Sequence, residues 1–253
     1  MNKKLIIATI FIAVSILIVK GQEKVFHAFS VQGKYGITDS DQKEMVAPNY
    51  ADFKVNPIGN FYLLKNYTEA VLFRYTDGLK LKFDRIASKT ISLNRGIFYS
   101  ADRGNKTVLI DEYDLKEKEL PNRYAKIYGD GYILLAEQTA KPKTYDVIHI
   151  DRPSEIVTSL QIDTIFRFAK IENDNTSNTT RGEIYGLNSG DKTYIYDEQL
   201  KLLHTFEPKL KDNNEFKKRI AETLNINIKS AVENPVMLSG MLPHNTLDSN
   251  HKR

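Results

Sequence analysis

The 253-residue sequence contains no cysteine and no tryptophan. Without cysteine there can be no disulfide, thiolate metal site or cysteine nucleophile. The lipid-bearing cysteine that follows many bacterial export signals is excluded as well. Secreted eukaryotic domains of this size usually carry disulfides, so their absence points to a bacterial source. An excess of one charge is also missing: 36 Lys and Arg face 32 Asp and Glu, a net charge of +4. Such a chain lacks the positive field that a nucleic-acid partner requires. Nowhere does an apolar run reach the roughly 18 residues of a membrane-spanning helix.

The chain opens with a different kind of apolar run. Lys3 and Lys4 precede fifteen uncharged residues, Leu5–Val19. A basic start followed by a short apolar stretch is the pattern of an export signal. Val19 and Gly21 are small enough to flank a cleavage bond, so residues 1–21 are read as a signal peptide cut after Gly21 or Gln22. The alternative is an uncleaved signal anchor, the one segment that would then touch a membrane. Either way the remainder lies outside the cytoplasm, in the periplasm, on the outer surface or secreted. Removing Lys3, Lys4 and Lys20 leaves a net charge of about +1.

The rest is rich in strand signals, with 14 Tyr and 12 Phe. These residues favour a pleated, half-buried surface. Short apolar or alternating runs recur: Gly59–Asn66, Glu69–Tyr75 and Leu79–Ile86, with the turn dipeptide Asp77-Gly78 between the last two. In the third run Leu79, Leu81 and Phe83 share one face, and Lys80 and Lys82 the other. The pattern returns from Arg95, Asp130 and Gly182: a strand near a glycine, a second strand often ending in Asp, a polar turn and a third strand. Aligning Asp39, Arg74, Asp111, Asp151 and Asp197 gives spacings of 35, 37, 40 and 46 residues. Spacings in this range indicate a repeat architecture.

The clearest unit is Lys34–Phe53, KYGITDSDQKEMVAPNYADF. It resembles the WG-repeat family of bacterial β-repeat proteins. Tyr35 and Gly36 stand at the family's Trp-Gly position, followed by Ile37 and Asp39. Lys43, Val46, Pro48, Tyr50, Asp52 and Phe53 match the later positions. No unit carries the signature Trp. The resemblance implies a repetitive β-scaffold and no particular activity. Tyr35, Gly36, Asp39, Pro48, Tyr50, Asp111, Asp151 and Asp197 are therefore expected to be structural repeat positions. The aromatics would plug the core and the aspartates would accept turn N–H groups.

These signals predict an all-β fold, an antiparallel meander of about five hairpin repeats over residues 22–208. A curved array and a small propeller are the two ways to arrange it. A C-terminal helix and cap should follow over 209–242, then a disordered tail, 243–253. The helix is expected at Asp212–Leu224, where Phe216, Ile220 and Leu224 form one stripe and Asp212 and Glu215 resemble a capping box. The polar segment 172–182 is expected to be a mobile, exposed loop inserted between two units.

Candidate chemistry is sparse. His27, His149, His204, His244 and His251 show no metal-ligand spacing. His149 and Asp151 would share a strand face, either as an edge pair or as a fragment of an acid–base site. Thr38–Glu44 is acidic but lacks the spacing of a calcium loop. There is no nucleophile elbow, P-loop or dinucleotide fingerprint. No catalytic residue, metal site or cofactor is assigned. The expected function is an exported, non-enzymatic binding or scaffold protein of the bacterial cell envelope. It would use exposed Tyr and Phe to hold a protein or glycan. The alternative is an extracytoplasmic hydrolase with dispersed carboxylates such as Glu69, Asp84, Asp111 and Glu112.

Overall fold

The computed structural model describes residues 24–174, 177–230 and 236–237. The expected signal peptide and C-terminal tail lie outside these residues. The chain divides into two compact units, one up to Ile86 and one from Ala87 onward.

The first unit holds two antiparallel sheets. One contains β1 (Phe26–Val31), β2 (Lys34–Asp39) and β3 (Glu44–Tyr50). The other contains β4 (Asp52–Asn56), β5 (Phe61–Lys65), β6 (Ala70–Arg74) and β7 (Lys80–Phe83). Phe26, Ile37, Val46, Tyr50, Leu64, Val71 and Phe73 form its buried core. Burying each such aliphatic or Phe side chain is worth about 1.5–3 kcal/mol. Phe26 meets Phe73 edge to face at 5.1 Å, a favoured geometry for aromatic pairs. Along β7 burial alternates as the sequence requires, with Lys80 and Lys82 exposed and Phe83 buried.

The second unit holds three sheets, built on the same plan. The first runs β8 (Arg85–Leu93), β9 (Gly96–Arg103), β10 (Lys106–Asp111) and β11 (Glu117–Glu119). The next runs β12 (Tyr124–Asp130), β13 (Ile133–Gln138), β14 (Thr144–His149) and β15 (Ile156–Gln161). The last runs β16 (Thr164–Asp174), β17 (Ser177–Ser189), β18 (Lys192–Asp197) and β19 (Leu202–Phe206). Two further strands, β20 (Asn227–Ser230) and β21 (Val236–Met237), pair with the other edge of β16. The fold is thus an all-β antiparallel meander of five hairpin sheets with one C-terminal helix, α1 (Asn213–Leu224).

The third strands set the true register of the repeat. They end at Arg74, Asp111, His149 and Asp197, and β2 ends the same way at Asp39. The amides of Asp39, Arg74, Asp111 and Asp197 close matching turns onto Lys43, Leu79, Lys116 and Lys201 carbonyls, at 2.8–3.1 Å. In the fourth unit the strand-end position therefore belongs to His149, not to Asp151 as the sequence alignment expected. Asp151 lies two residues beyond, where its amide donates to His149 Nδ1 at 3.1 Å. The imidazole nitrogen does for this turn what the carboxylate oxygens of Asp39, Asp111 and Asp197 do in theirs.

The polar segment 172–182 also departs from expectation. Glu172 pairs with Thr179 and Asp174 with Ser177, so the backbone continues the β16–β17 ladder instead of forming a loop. A hairpin needs only ladder hydrogen bonds and strand-compatible residues, and the β-branched threonines here meet the second requirement. An apolar anchor is not necessary once the strands are already aligned by the core below.

After β19 the chain repeats one more connection before the helix. Tyr124 N, at the start of β12, donates to Thr107 Oγ1 at 3.0 Å. Leu210 N donates to Thr193 Oγ1 at 2.8 Å. Thr107 bonds Asp102 and Thr193 bonds Asn188, at 2.9 and 2.5 Å. The sequence that would enter a further sheet turns into α1 instead. Asp212 caps it by accepting from the amides of Asn214 and Glu215. Glu215 reaches back to Lys211 N at 2.8 Å, a reciprocal cap displaced by one residue from the capping box expected. Phe216 and Ile220 are fully buried against Phe166, Phe168 and Ile195.

Candidate functional site

The first unit carries a row of aromatic rings along the rim of its core. Tyr35 of β2 stacks on Phe53 of β4 at 5.3 Å between centroids. Phe53 meets Tyr62 of β5 at 5.4 Å. Tyr62 meets Tyr75, just past β6, at 4.9 Å. All four rings are half-buried, each with part of its surface in solvent. Val55, the register partner of Tyr62, is 47% exposed, and Ile58 in the following turn is 61% exposed.

Each ring is held by its local chain. Alternation along β4 puts Phe53 and Val55 on one face, and pairing with β5 sets Tyr62 and Leu64 beside them. Leu64 goes into the core while Tyr62 stays at the rim. Tyr62 Oη donates to the Phe26 carbonyl at 3.3 Å. Burial and the neighbouring Tyr75 hydroxyl push the Tyr62 phenol above its ordinary range. Tyr75 Oη donates to Asn60 Oδ1 at 3.2 Å, and its amide donates to the Asn60 carbonyl at 2.9 Å. The ring edge is therefore fixed to the β4–β5 turn that also carries Ile58. A preorganised aromatic surface of this kind offers contact area at low entropic cost, the chemistry used to hold a peptide or a sugar face.

The second unit contains a charged cluster that draws on three of its sheets. Arg167 of β16 donates to Asp130 Oδ1 at 2.6 Å and to Glu183 Oε1 at 2.5 Å. Asn94 joins both, accepting from Arg167 at 3.2 Å and donating to Glu183 at 3.0 Å. Tyr185 donates its hydroxyl hydrogen to the other Glu183 oxygen and accepts from Tyr132 N at 2.7 Å. Gly131 has a positive φ of 62°, and a side chain there would enter the space of Tyr185, Glu183 and Arg167. Burial raises the Glu183 carboxyl, but hydrogen bonds from Arg167, Tyr185 and Asn94 outweigh it, leaving the acid below the usual range. Burial first, then the Glu183 bond, pushes the Tyr185 phenol far up. The cluster pairs the Arg167 guanidinium with two carboxylates in fixed positions. Among the described residues, no three acidic or histidine side chains converge as a metal site.

The positions singled out from sequence fall into separate places. Asp39 Oδ1 accepts from the amides of Asp41 and Lys43 at 3.0 and 2.9 Å. Asp111 Oδ1 accepts from Tyr113 N at 2.8 Å, and Asp197 Oδ1 from Gln199 N and Lys201 N at 3.0 and 2.8 Å. Asp151 instead binds the Arg95 guanidinium at 2.7 Å. Gly36 has no room for a side chain: a Cβ would lie 2.6 Å from the Val46 carbonyl and 2.9 Å from the Phe29 ring. Pro48 sits in β3, an edge strand that tolerates its missing donor. Tyr50 is buried and donates to Glu69 at 2.7 Å. Of these positions only Tyr35 belongs to the aromatic rim. Phe53 matches a WG-repeat position, but Tyr62 and Tyr75 carry no local sequence mark of a site. The Arg167 cluster is likewise silent, because its members are 37 and 16 residues apart.

No family model matches the sequence, and no curated protein matches it. Several solved structures are similar in fold. Hsv2 from Kluyveromyces lactis aligns with a TM-score of 0.31 at 10% identity, covering 74% of this chain and 61% of that one. The AfRom2 CNH domain aligns with a TM-score of 0.31 at 9% identity, over 74% of this chain and 73% of that one. The WD40 domain of SCAP from fission yeast gives 0.27 at 10% identity, over 84% and 75%. The chain spans about three fifths of the length of the Hsv2 structure. These scores are all below 0.5 and assign no role to any residue.

Proposed function

We propose that this chain is an exported, non-enzymatic binding protein of the bacterial cell envelope, holding a protein or glycan on the aromatic rim of its first unit. The observation that carries this reading is the unbroken contact from Tyr35 through Phe53 and Tyr62 to Tyr75. Exposed Val55 and Ile58 extend it with apolar surface. The signal-like N-terminus and the absence of cysteine support an extracytoplasmic bacterial setting. The likeness of Lys34–Phe53 to a WG repeat supports a scaffold whose function rests on surface and not on catalysis.

A hydrolase would need two carboxyls across a cleft, one of them holding its proton above the ordinary range. Asp130 and Glu183 both bind Arg167, and Glu183 is held low. Glu183 therefore does not supply the acid.

The test has two arms. The full chain is expressed with a C-terminal tag in a Gram-negative host, and the N-terminus of periplasmic material is sequenced. A start at Gln22 or Glu23 is expected, and an intact Met1 in the membrane fraction would show an anchor. The purified protein is then used for affinity capture from envelope extracts, beside a Tyr62→Ser, Tyr75→Ser double variant. Loss of the captured material in the variant is expected, and identical capture by both proteins would overturn the rim as the site.

A further inference from the structure

The first sheet has three described strands, where each of the other sheets of the repeat has at least four. The register identifies which strand is missing. β2 ends in Asp39 and closes the same turn as the third strands β6, β10 and β18. β2 is therefore the third strand of its unit, β3 the fourth and β1 the second. Among the described residues no strand takes the place of the first strand, against the outer edge of β1.

That edge is also the least protected in the described molecule. Sheet edges ordinarily carry charges, proline, bulges or covering segments that prevent pairing with foreign strands. β3 has Pro48, and β4, β7, β8, β11 and β12 each contain Lys. β15 and β19 contain register shifts. The edge of β16 is covered by β20 and β21. β1, with sequence FHAFSV, has no Lys, Arg, Asp, Glu or Pro, and its pairing with β2 runs unbroken from Phe26 to Val31.

The surroundings select the occupant. Ala28 and Ser30 are small and exposed, and lie on the same strand face as Phe26, beside Ile37 and Tyr35 of β2. Larger apolar side chains of an added strand can lie over them. The Phe26 carbonyl accepts from Tyr62, so the edge is continuous with the aromatic rim. Lys24 precedes one end of β1, and Lys34 pairs with Val31 at the other; both lysines are exposed. A second copy pairing antiparallel through β1 would bring Lys24 of one molecule to the Lys34 end of the other, setting like charges together at both ends.

We propose that the free edge of β1 binds an extended segment of a partner protein by strand addition. The segment has alternating apolar residues at its centre and acidic residues at both ends. Main-chain bonds to β1 supply affinity, and the small positions and flanking lysines supply selectivity. This rests on the reading of the chain as a binding protein and names the chemistry of its partner.

The probe is the fluorescein-labelled peptide Glu-Asp-Val-Thr-Ile-Thr-Phe-Asp-Glu. A control carries Lys at its four acidic positions. Binding to the purified protein is read by fluorescence anisotropy. The acidic-flanked peptide is expected to bind at least tenfold tighter than the control, and Ala28→Lys to abolish binding with an unchanged circular dichroism spectrum. If Ala28→Lys does not fold, Ser30→Lys serves instead. The Lys24→Glu, Lys34→Glu double variant is expected to reverse the preference between the two peptides. Equal binding of both peptides, or unchanged binding by the edge variants, would overturn the proposal. So would a concentration-dependent dimer in sedimentation that Ala28→Lys abolishes, since it would give the edge to a second copy. If the peptide fails while rim-dependent capture from envelope extracts persists, the edge proposal falls and the binding-protein reading stands.

Discussion

His149 Nε2 lies 2.9 Å from the main-chain oxygen of Glu198, joining the end of β14 to the turn after β18. Because Nδ1 accepts the Asp151 amide, Nε2 carries the hydrogen and donates it. One side chain thus closes its own turn and ties two sheets of the second unit together. Tyr132 stacks on its ring at 5.7 Å.

His149→Ala leaves an amide and a carbonyl without this partner at a site only 1% exposed. Each unsatisfied buried group costs about 1–3 kcal/mol. The midpoint of thermal unfolding should fall by roughly 4–24 °C in a domain of this size. A melting temperature within 1 °C of wild type would show that the contact is not maintained in solution.

Gly186 and Phe216 set a second test. A Cβ at residue 186 would occupy the space of the Phe216 ring, which itself packs on Phe166 at 4.2 Å. Gly186→Ala should therefore push α1 away from its sheet, at about 1–3 kcal/mol for overpacking. Adding Phe216→Leu should restore part of that loss while removing ring contacts of its own. Chemical denaturation of the single and double variants measures the coupling. Strict additivity would contradict the packing described.

The Arg167 cluster should give stability a defined pH profile. Glu183 is lowered on folding, so its contribution is complete above the unfolded carboxyl value of about 4.3 and is lost as pH falls through the folded value. Tyr185 is raised on folding, so its contribution is complete below about pH 10 and declines as pH rises beyond it. Glu183→Gln should flatten the acid limb of a stability–pH curve, and Tyr185→Phe the alkaline limb. Unaltered limbs in these variants would place the titrating groups elsewhere.

Much of the architecture was legible because hairpins and the helix are local. The alternation of Leu81 and Phe83 against Lys80 and Lys82 marks β7, and the Phe216–Ile220 stripe with Asp212 before it marks α1. The fourth repeat was misaligned because its strand ends in His149 while an Asp stands two residues later. Residue type alone does not reveal that the His149 imidazole accepts the amide a carboxylate accepts elsewhere. The pairing of Ile171–Asp174 with Ser177–Thr180 shows only in the backbone register, because the polar composition of the segment favours a loop. The rim was legible only as aromatic abundance. Which rings touch depends on pairing β4 with β5 and on where Tyr75 leaves β6, and neither spacing nor residue type encodes that.

Hydrogen exchange on the complex formed with captured envelope material tests most directly where the protein binds. Amides of β1, β2, β4 and β5 should exchange more slowly in the complex than in the free protein, together with those flanking Tyr75. Protection confined to α1 or to the strands around Arg167, with the first unit unchanged, would contradict the account.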